Sequence, residues 1–247
     1  MEILGIDIGG SGIKGAIVDT EKGNLITERH RITTPKPATP EKVANAIQKM
    51  IRHFNWTGEV GCGFPTPLKH GKCLTGGNLH ESWKGVQVDA LFTEKTGNEY
   101  SVVNDADAAG LAEISFGAGK GKKGTVIMIT LGTGIGSGVF LDGKLLPNTE
   151  LGHVLYKNGK IFEKYAADSV RKNENLTRKE WGKRLHKYFK HINLILSPDL
   201  VIVGGGASKK LGKFVNHINI DTPIVAAEAE NEAGIIGAAM AANFHIK

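Results

Sequence analysis

DIGGSGIKG at residues 7–15 and TLGTGIGSG at residues 130–138 decide the fold. Each is a glycine turn between two apolar, strand-like runs: EILGIDI and IKGAIVD around the first, GTVIMITL and GSGVFL around the second. Glycines at 9, 10 and 12 let the chain turn tightly and let backbone amides approach an anion closely. A strand rather than a helix follows Lys14, so this is neither a Walker loop nor a dinucleotide fingerprint. Taken singly, such a turn also suits an ordinary hairpin. VIVGGGAS at 201–208 adds a third glycine turn after a buried strand, and three in this order are much more specific than one.

Outward from these turns the chain alternates. LITERHRIT, after the Lys22-Gly23-Asn24 turn, extends the opening hairpin into a meander. TPEKVANAIQKMIRHF predicts an amphipathic helix with Thr39 as N-cap and Pro40 at its first position, carrying Val43, Ile47, Met50, Ile51 and Phe54 on one face. Strand EVGCGF, helix VDALFTEKTG, strand SVVND and helix ADAAGLAEISFG follow, the grammar of an α/β domain with parallel strands. The second half repeats the form, with an Asp142-Gly143 turn, a long helix RKEWGKRLHKYFKHINLIL packing through Trp181, Leu185, Tyr188, Phe189, Ile192 and Ile195, and an Ala-rich closing helix EAGIIGAAMAANF. Two similar lobes without a Pro- or Ser-rich linker imply a cleft between them, where ligands usually bind.

The 247 residues suffice for one large domain or two small ones, and 40% apolar with 23% charged residues is ordinary for a globular protein. No apolar stretch approaches the roughly 20 residues that span a bilayer, and no basic leader precedes the first strand, so the expected location is cytoplasmic and no membrane partner is expected. Cys62 and Cys73 form neither a zinc knuckle nor a disulfide framework and read as buried thiols. A net charge of +6 favours an anionic partner without naming it. Nucleic acid is not expected, because no recognised module or aromatic-basic interleaving accompanies the charge.

The three turns resemble the phosphate-binding and nucleotide-side loops of the actin and hexokinase superfamily. With NDADAAGLAE at 104–113 and PNTELGH at 147–153, nearly the whole chain resembles the ROK family of bacterial sugar kinases and repressors, in the pattern of its polyphosphate glucokinases. That resemblance implies an α/β, actin-like ATPase (ribonuclease H-like) fold. Residues 1–106 with 234–247 would form an N-terminal lobe and residues 107–233 a larger C-terminal lobe. It also implies phosphoryl transfer from polyphosphate, and from ATP, to the 6-hydroxyl of glucose by a homodimer. Asp7, Gly9, Gly10, Ser11, Gly12, Lys14, Gly132, Thr133, Gly134, Gly136, Gly204, Gly205 and Gly206 would hold the donor, and Asp7 would hold magnesium through water.

Asp105 stands at the carboxyl edge of a strand, where α/β proteins bind ligands. A strand-end Asp often only caps the next helix, a role open to Asp107 as well; the resemblance assigns Asp105 as the catalytic base. Asn78, Asn104, Glu150, His153 and Glu163 match the family's sugar-contacting positions, and Trp83 is expected to pack rather than to stack on sugar. Lys120, Lys122 and Lys123 in GKGKKG either guide a polyphosphate chain or form a solvated basic loop. Many relatives carry a cysteine-rich zinc element after the Gly-His; VLYKNGKIFE has none, so structural zinc is not expected. The first strand begins at residue 2, which disfavours the repressor branch. An ATP-only hexokinase and a non-catalytic sugar sensor are the remaining alternatives.

Overall fold

The hairpin around Gly9–Gly12 forms as β1 (Glu2–Ile8) and β2 (Gly12–Asp19), with Asp7 opposite Lys14 and Ile8 opposite Ile13. The computed structural model describes residues 1–229 and 232–245. Two units are formed, Met1–Ala112 with Asn231–Lys247, and Glu113–Glu230. Residues 230, 231, 246 and 247 of the expected lobes lie outside the described residues.

In the first unit, β3 (Asn24–Leu25) and β4 (His30–Thr33) both pair with β2, followed by α1 (Pro40–Phe54), β5 (Val60–Phe64), the short pair β6 (Leu68–Lys69) and β7 (Lys72–Cys73), α2 (Val88–Thr96), β8 (Tyr100–Asn104) and α3 (Asp105–Phe116). The sheet order is β3-β2-β1-β5-β8, with β4 beside β2 and with β5 parallel to both neighbours. The strand expected over LITERHRIT is broken in two. Thr27 explains the break: its Oγ1 accepts the Ile17 amide at 3.0 Å, taking the place of a strand carbonyl in mid-ladder.

Alternation of side chains sorts the two faces of this sheet. Leu4, Ile6 and Ile8 join the core built with Val43, Ile47 and Met50 of α1, and Trp83 is buried there with its Nε1 donating to the Ala38 carbonyl at 2.8 Å. Ile3, Gly5 and Asp7 point the other way, toward α7 (Ala233–Asn243). Glycine lets α7 lie directly on backbone. A Cβ at Gly61 would strike the Ala238 carbonyl, and one at Gly237 the Ala108 carbonyl. Much of the glycine surplus is therefore packing rather than chemistry.

In the second unit, β9 (Thr125–Leu131), β10 (Ile135–Leu141), β11 (Lys144–Leu146), β12 (Leu200–Gly204) and β13 (Ile224–Ala226) form a sheet in the order β11-β10-β9-β12-β13. Its helices are α4 (Glu163–Ala166), α5 (Asp168–Asn173) and α6 (Arg178–Leu196). Thr177 and Glu180 close a reciprocal capping box on α6, a start signal of about 1 kcal/mol. Trp181, Leu185, Tyr188, Phe189 and Ile192 pack as the periodicity predicts. Ile195 does not: it is 54% exposed, and Leu196 makes the core contact instead.

Candidate active site

The first glycine turn is braced by residues of the β4 segment. Thr34 Oγ1 donates to the Gly9 carbonyl at 2.6 Å, and Arg31 Nη2 donates to the Ser11 carbonyl at 2.8 Å. The Gly9 amide closes the turn on the Gly12 carbonyl at 3.0 Å. Among the described residues the N–H groups of Gly10 and Ser11 donate to no protein acceptor. With the Gly9 and Ser11 carbonyls engaged and the Gly10 and Ser11 amides left without protein acceptors, the turn is suited to take an anion.

Asp7 lies beside this turn, its Oδ2 3.0 Å from Lys14 Nζ. A Cβ at Gly234, the second residue of α7, would come within 2.9 Å of the Asp7 carboxyl carbon. Gly63 is the register partner of both Asp7 and Val103, so β5 itself places no side chain between the ends of β1 and β8. The carboxylates at those ends sense each other. Burial first, and the Asp7 charge second, push the Asp105 carboxyl up to about 6, against stabilising amide contacts from Ala106 and from Asp105 itself. Protein crowds Asp105 while one side stays open to water. A carboxylate poised near neutrality beside a glycine turn of this kind can take a proton from a hydroxyl.

Asn104 serves the chain itself. Its Oδ1 accepts the Ala106 amide at 2.8 Å, capping α3, while Nδ2 reaches the Thr66 carbonyl at 3.4 Å. The cap expected of Asp105 or Asp107 is therefore supplied by Asn104, the residue before the helix. Asn78 is exposed on the loop beside the first turn, its carbonyl 3.5 Å from where a Cβ of Gly10 would be.

The second turn repeats the plan with different residues. Ser169 of α5 donates its amide to the Gly132 carbonyl at 3.0 Å and its hydroxyl to the Thr133 carbonyl at 2.6 Å. Among the described residues the N–H groups of Thr133 and Gly134 have no protein acceptor. Glu163 closes the far side: its Oε2 accepts the Ile135 amide at 3.0 Å and occupies the space a Cβ on Gly134 would need. The Glu163 carboxylate is thus built onto the second glycine turn. Glu150 is close by in electrostatic terms, since both carboxylates, after burial, raise the pKa of the buried Tyr188 phenol. His153 Nδ1 lies 3.9 Å from Glu150 Oε2, one turn along the same short helix. Gly136 follows in β10.

At the third turn, Gly204 ends β12 against the Met128 side chain, Gly205 adopts φ +72° against the Leu131 backbone, and a Cβ on Gly206 would meet open space. Lys120, Lys122 and Lys123 are exposed on a hydrogen-bonded loop before β9. That loop enters β9 at Thr125, whereas the second turn leaves it at Leu131; seven strand residues separate the two by about 20 Å. Sequence reasoning missed Arg31, Thr34 and Ser169. None sits in a glycine motif, and only the pairing of β4 with β2 and the docking of α5 bring them to the turns. Cys62 and Cys73 are both buried, and burial pushes their thiols well up, so neither is a nucleophile at neutral pH.

The ROK family profile matches residues 3–164, and the chain belongs to that family. Over 239 residues it is 46% identical to a polyphosphate glucokinase of Mycobacterium tuberculosis (strain CDC 1551 / Oshkosh), covering 96% of this chain and 90% of the relative. An inorganic polyphosphate/ATP-glucomannokinase from Arthrobacter sp. strain KM superposes with a TM-score of 0.91 at 46% identity, over 99% of both chains. A ROK family glucokinase from Streptomyces griseus shares the fold, with a TM-score of 0.83 at 23% identity over 97% of this chain and 98% of that one.

Proposed function

We propose that this chain is a glucokinase that takes its phosphoryl group from inorganic polyphosphate, and from ATP as a second donor. The first glycine turn, with two amides lacking protein acceptors near a carboxylate held near neutral pKa, carries the reading, and the second unit repeats such a turn. The 46% identity to polyphosphate glucokinase over nearly the whole chain supports the choice of donor and sugar.

In this reading the amides of the Gly10–Ser11 and Thr133–Gly134 turns hold donor oxygens. Asp105 accepts the proton of the glucose 6-hydroxyl as that oxygen attacks the terminal phosphorus. The anhydride bond breaks, and the shortened polyphosphate or ADP leaves with its electron pair. Positioning and charge stabilisation supply most of the rate in such transfers. Glu150, His153, Glu163 and Asn78 are assigned to sugar hydroxyls, with Asn104 as a neighbouring residue that caps the helix on which Asp105 stands.

Asp7 is a hard, partly exposed carboxylate, and no group of three metal-ligating side chains exists among the described residues. That donor set fits magnesium carried mainly by phosphates and water, with Asp7 holding it through water. Bound there, magnesium would neutralise charge on the donor phosphates. We also assign a cytoplasmic homodimer, on the resemblance; sedimentation and cell fractionation check both parts.

The test is a coupled assay for glucose 6-phosphate with polyphosphate and ATP supplied separately, with mannose as an alternative acceptor because the Arthrobacter relative is a glucomannokinase. Turnover with polyphosphate is expected. None with any chain length would overturn the donor assignment.

A further inference from the structure

We propose that Arg31 is a donor-binding residue, its guanidinium contacting a non-transferred phosphate of polyphosphate or ATP at the first glycine turn. The assignment rests on the kinase reading above. Asp7, Lys14 and Arg31 are register partners across β1, β2 and β4, so all three side chains share one face of the sheet at the turn. Lys14 is already paired with Asp7 at 3.0 Å. Arg31 is exposed and forms no ion pair with a carboxylate among the described residues, which leaves it the uncompensated charge of the row.

Its position is set closely. Nη2 donates to the Ser11 carbonyl at 2.8 Å, and a Cβ on Gly12 would lie 2.6 Å from Nε and 2.8 Å from Cζ. Gly12 is therefore glycine partly to seat this guanidinium. With Nη2 spent on Ser11, the guanidinium makes no other hydrogen bond among the described residues, and the amides of Gly10 and Ser11 in the same turn likewise lack protein acceptors. A planar fork of this kind suits tetrahedral phosphate oxygens better than an ammonium does, because two parallel bonds form at once. Nothing in the contact involves adenine, so it serves both donors alike.

Arg31→Gln separates binding from bracing, because the amide can still donate to the Ser11 carbonyl but carries no charge. Expected is a rise of about 5- to 30-fold in KM for polyphosphate and for ATP, with the KM for glucose and the unfolding temperature near wild type. The defect should narrow as salt rises and screens the wild-type contact. Arg31→Lys, keeping charge without the fork, should fall between. Titration of inorganic tripolyphosphate into Asp105→Asn with and without Arg31→Gln reads affinity without turnover, and the same loss is expected there. Wild-type donor KM in Arg31→Gln, with impairment only in Arg31→Ala, would reduce Arg31 to a brace and overturn the proposal; so would unchanged KM in both. Failure of the wild-type enzyme to phosphorylate glucose would instead strike the kinase reading, leaving tripolyphosphate affinity to decide Arg31.

Discussion

Asp105→Asn tests the chemistry most directly. With its carboxyl pushed up to about 6, Asp105 is about nine-tenths ionised near pH 7 and about one-tenth near pH 5, so kcat/KM should fall about tenfold on acidification across that interval. The direction follows from the role: a base works ionised, so activity is lost as pH falls through the folded pKa and is flat above it. The amide variant keeps much of the hydrogen bonding but cannot take the proton, and kcat should drop about 10²- to 10⁴-fold with glucose affinity largely retained. Because the folded pKa stands above the ordinary value of 3.8, ionising Asp105 costs stability as pH rises from that value through about 6. The variant should therefore unfold at a higher temperature than wild type on the alkaline side, and at the same temperature below the ordinary carboxylate range. Asp7→Asn removes the second cause of the shift but not burial, so the acid limb of its residual activity should move down without reaching 3.8. Stopped-time glucose 6-phosphate assays across pH and thermal melts read all of this. Near-normal turnover of Asp105→Asn, or an unchanged acid limb in its residual activity, would refute the assignment.

Gly134→Ala should cost about 1–3 kcal/mol and raise the donor KM, since its Cβ needs the space of the Glu163 carboxylate that holds the Ile135 amide; denaturant melts with kinetics check both. Ser169→Ala, losing the hydroxyl bond to Thr133, should weaken donor use by several-fold at constant glucose KM, on the order of 1 kcal/mol, as donor titrations would show. Replacing Lys120, Lys122 and Lys123 together by Ala should leave ATP kinetics unchanged and raise KM only for long polyphosphate, because the loop is about 20 Å along β9 from the second turn. Equal effects on both donors would deny the loop a polymer role. Stripping the enzyme with a zinc-selective chelator and restoring magnesium should leave full turnover, whereas recovery only on zinc addition would contradict the reading of the cysteine-free stretch after His153.

The glycine turns, the strand-end Asp105 and the α1 and α6 helices were legible in the chain because each is a local pattern. Turn geometry demands glycine, helical faces repeat every 3.6 residues, and buried parallel strands are uniformly apolar. Asp7, Lys14 and the family motifs follow from the same short-range signals. Other features depended on which distant segments meet. LITERHRIT has strand composition, yet Thr27 takes the Ile17 amide and splits it. Asn104 rather than Asp107 caps α3, a choice made by side-chain geometry that the run Asn104-Asp105-Ala106-Asp107 does not disclose. Glu163 reads as a sugar ligand in its motif but is bonded to the second turn, and the lysines that precede β9 in sequence stand at its opposite end from that turn. Arg31, Thr34 and Ser169 have no motif, because bracing a turn needs only a donor at the right place in space. Residue types that carry chemistry are thus written locally, whereas the hydrogen bonds that aim backbone amides outward arise only when sheet pairing and helix docking bring remote donors to those carbonyls.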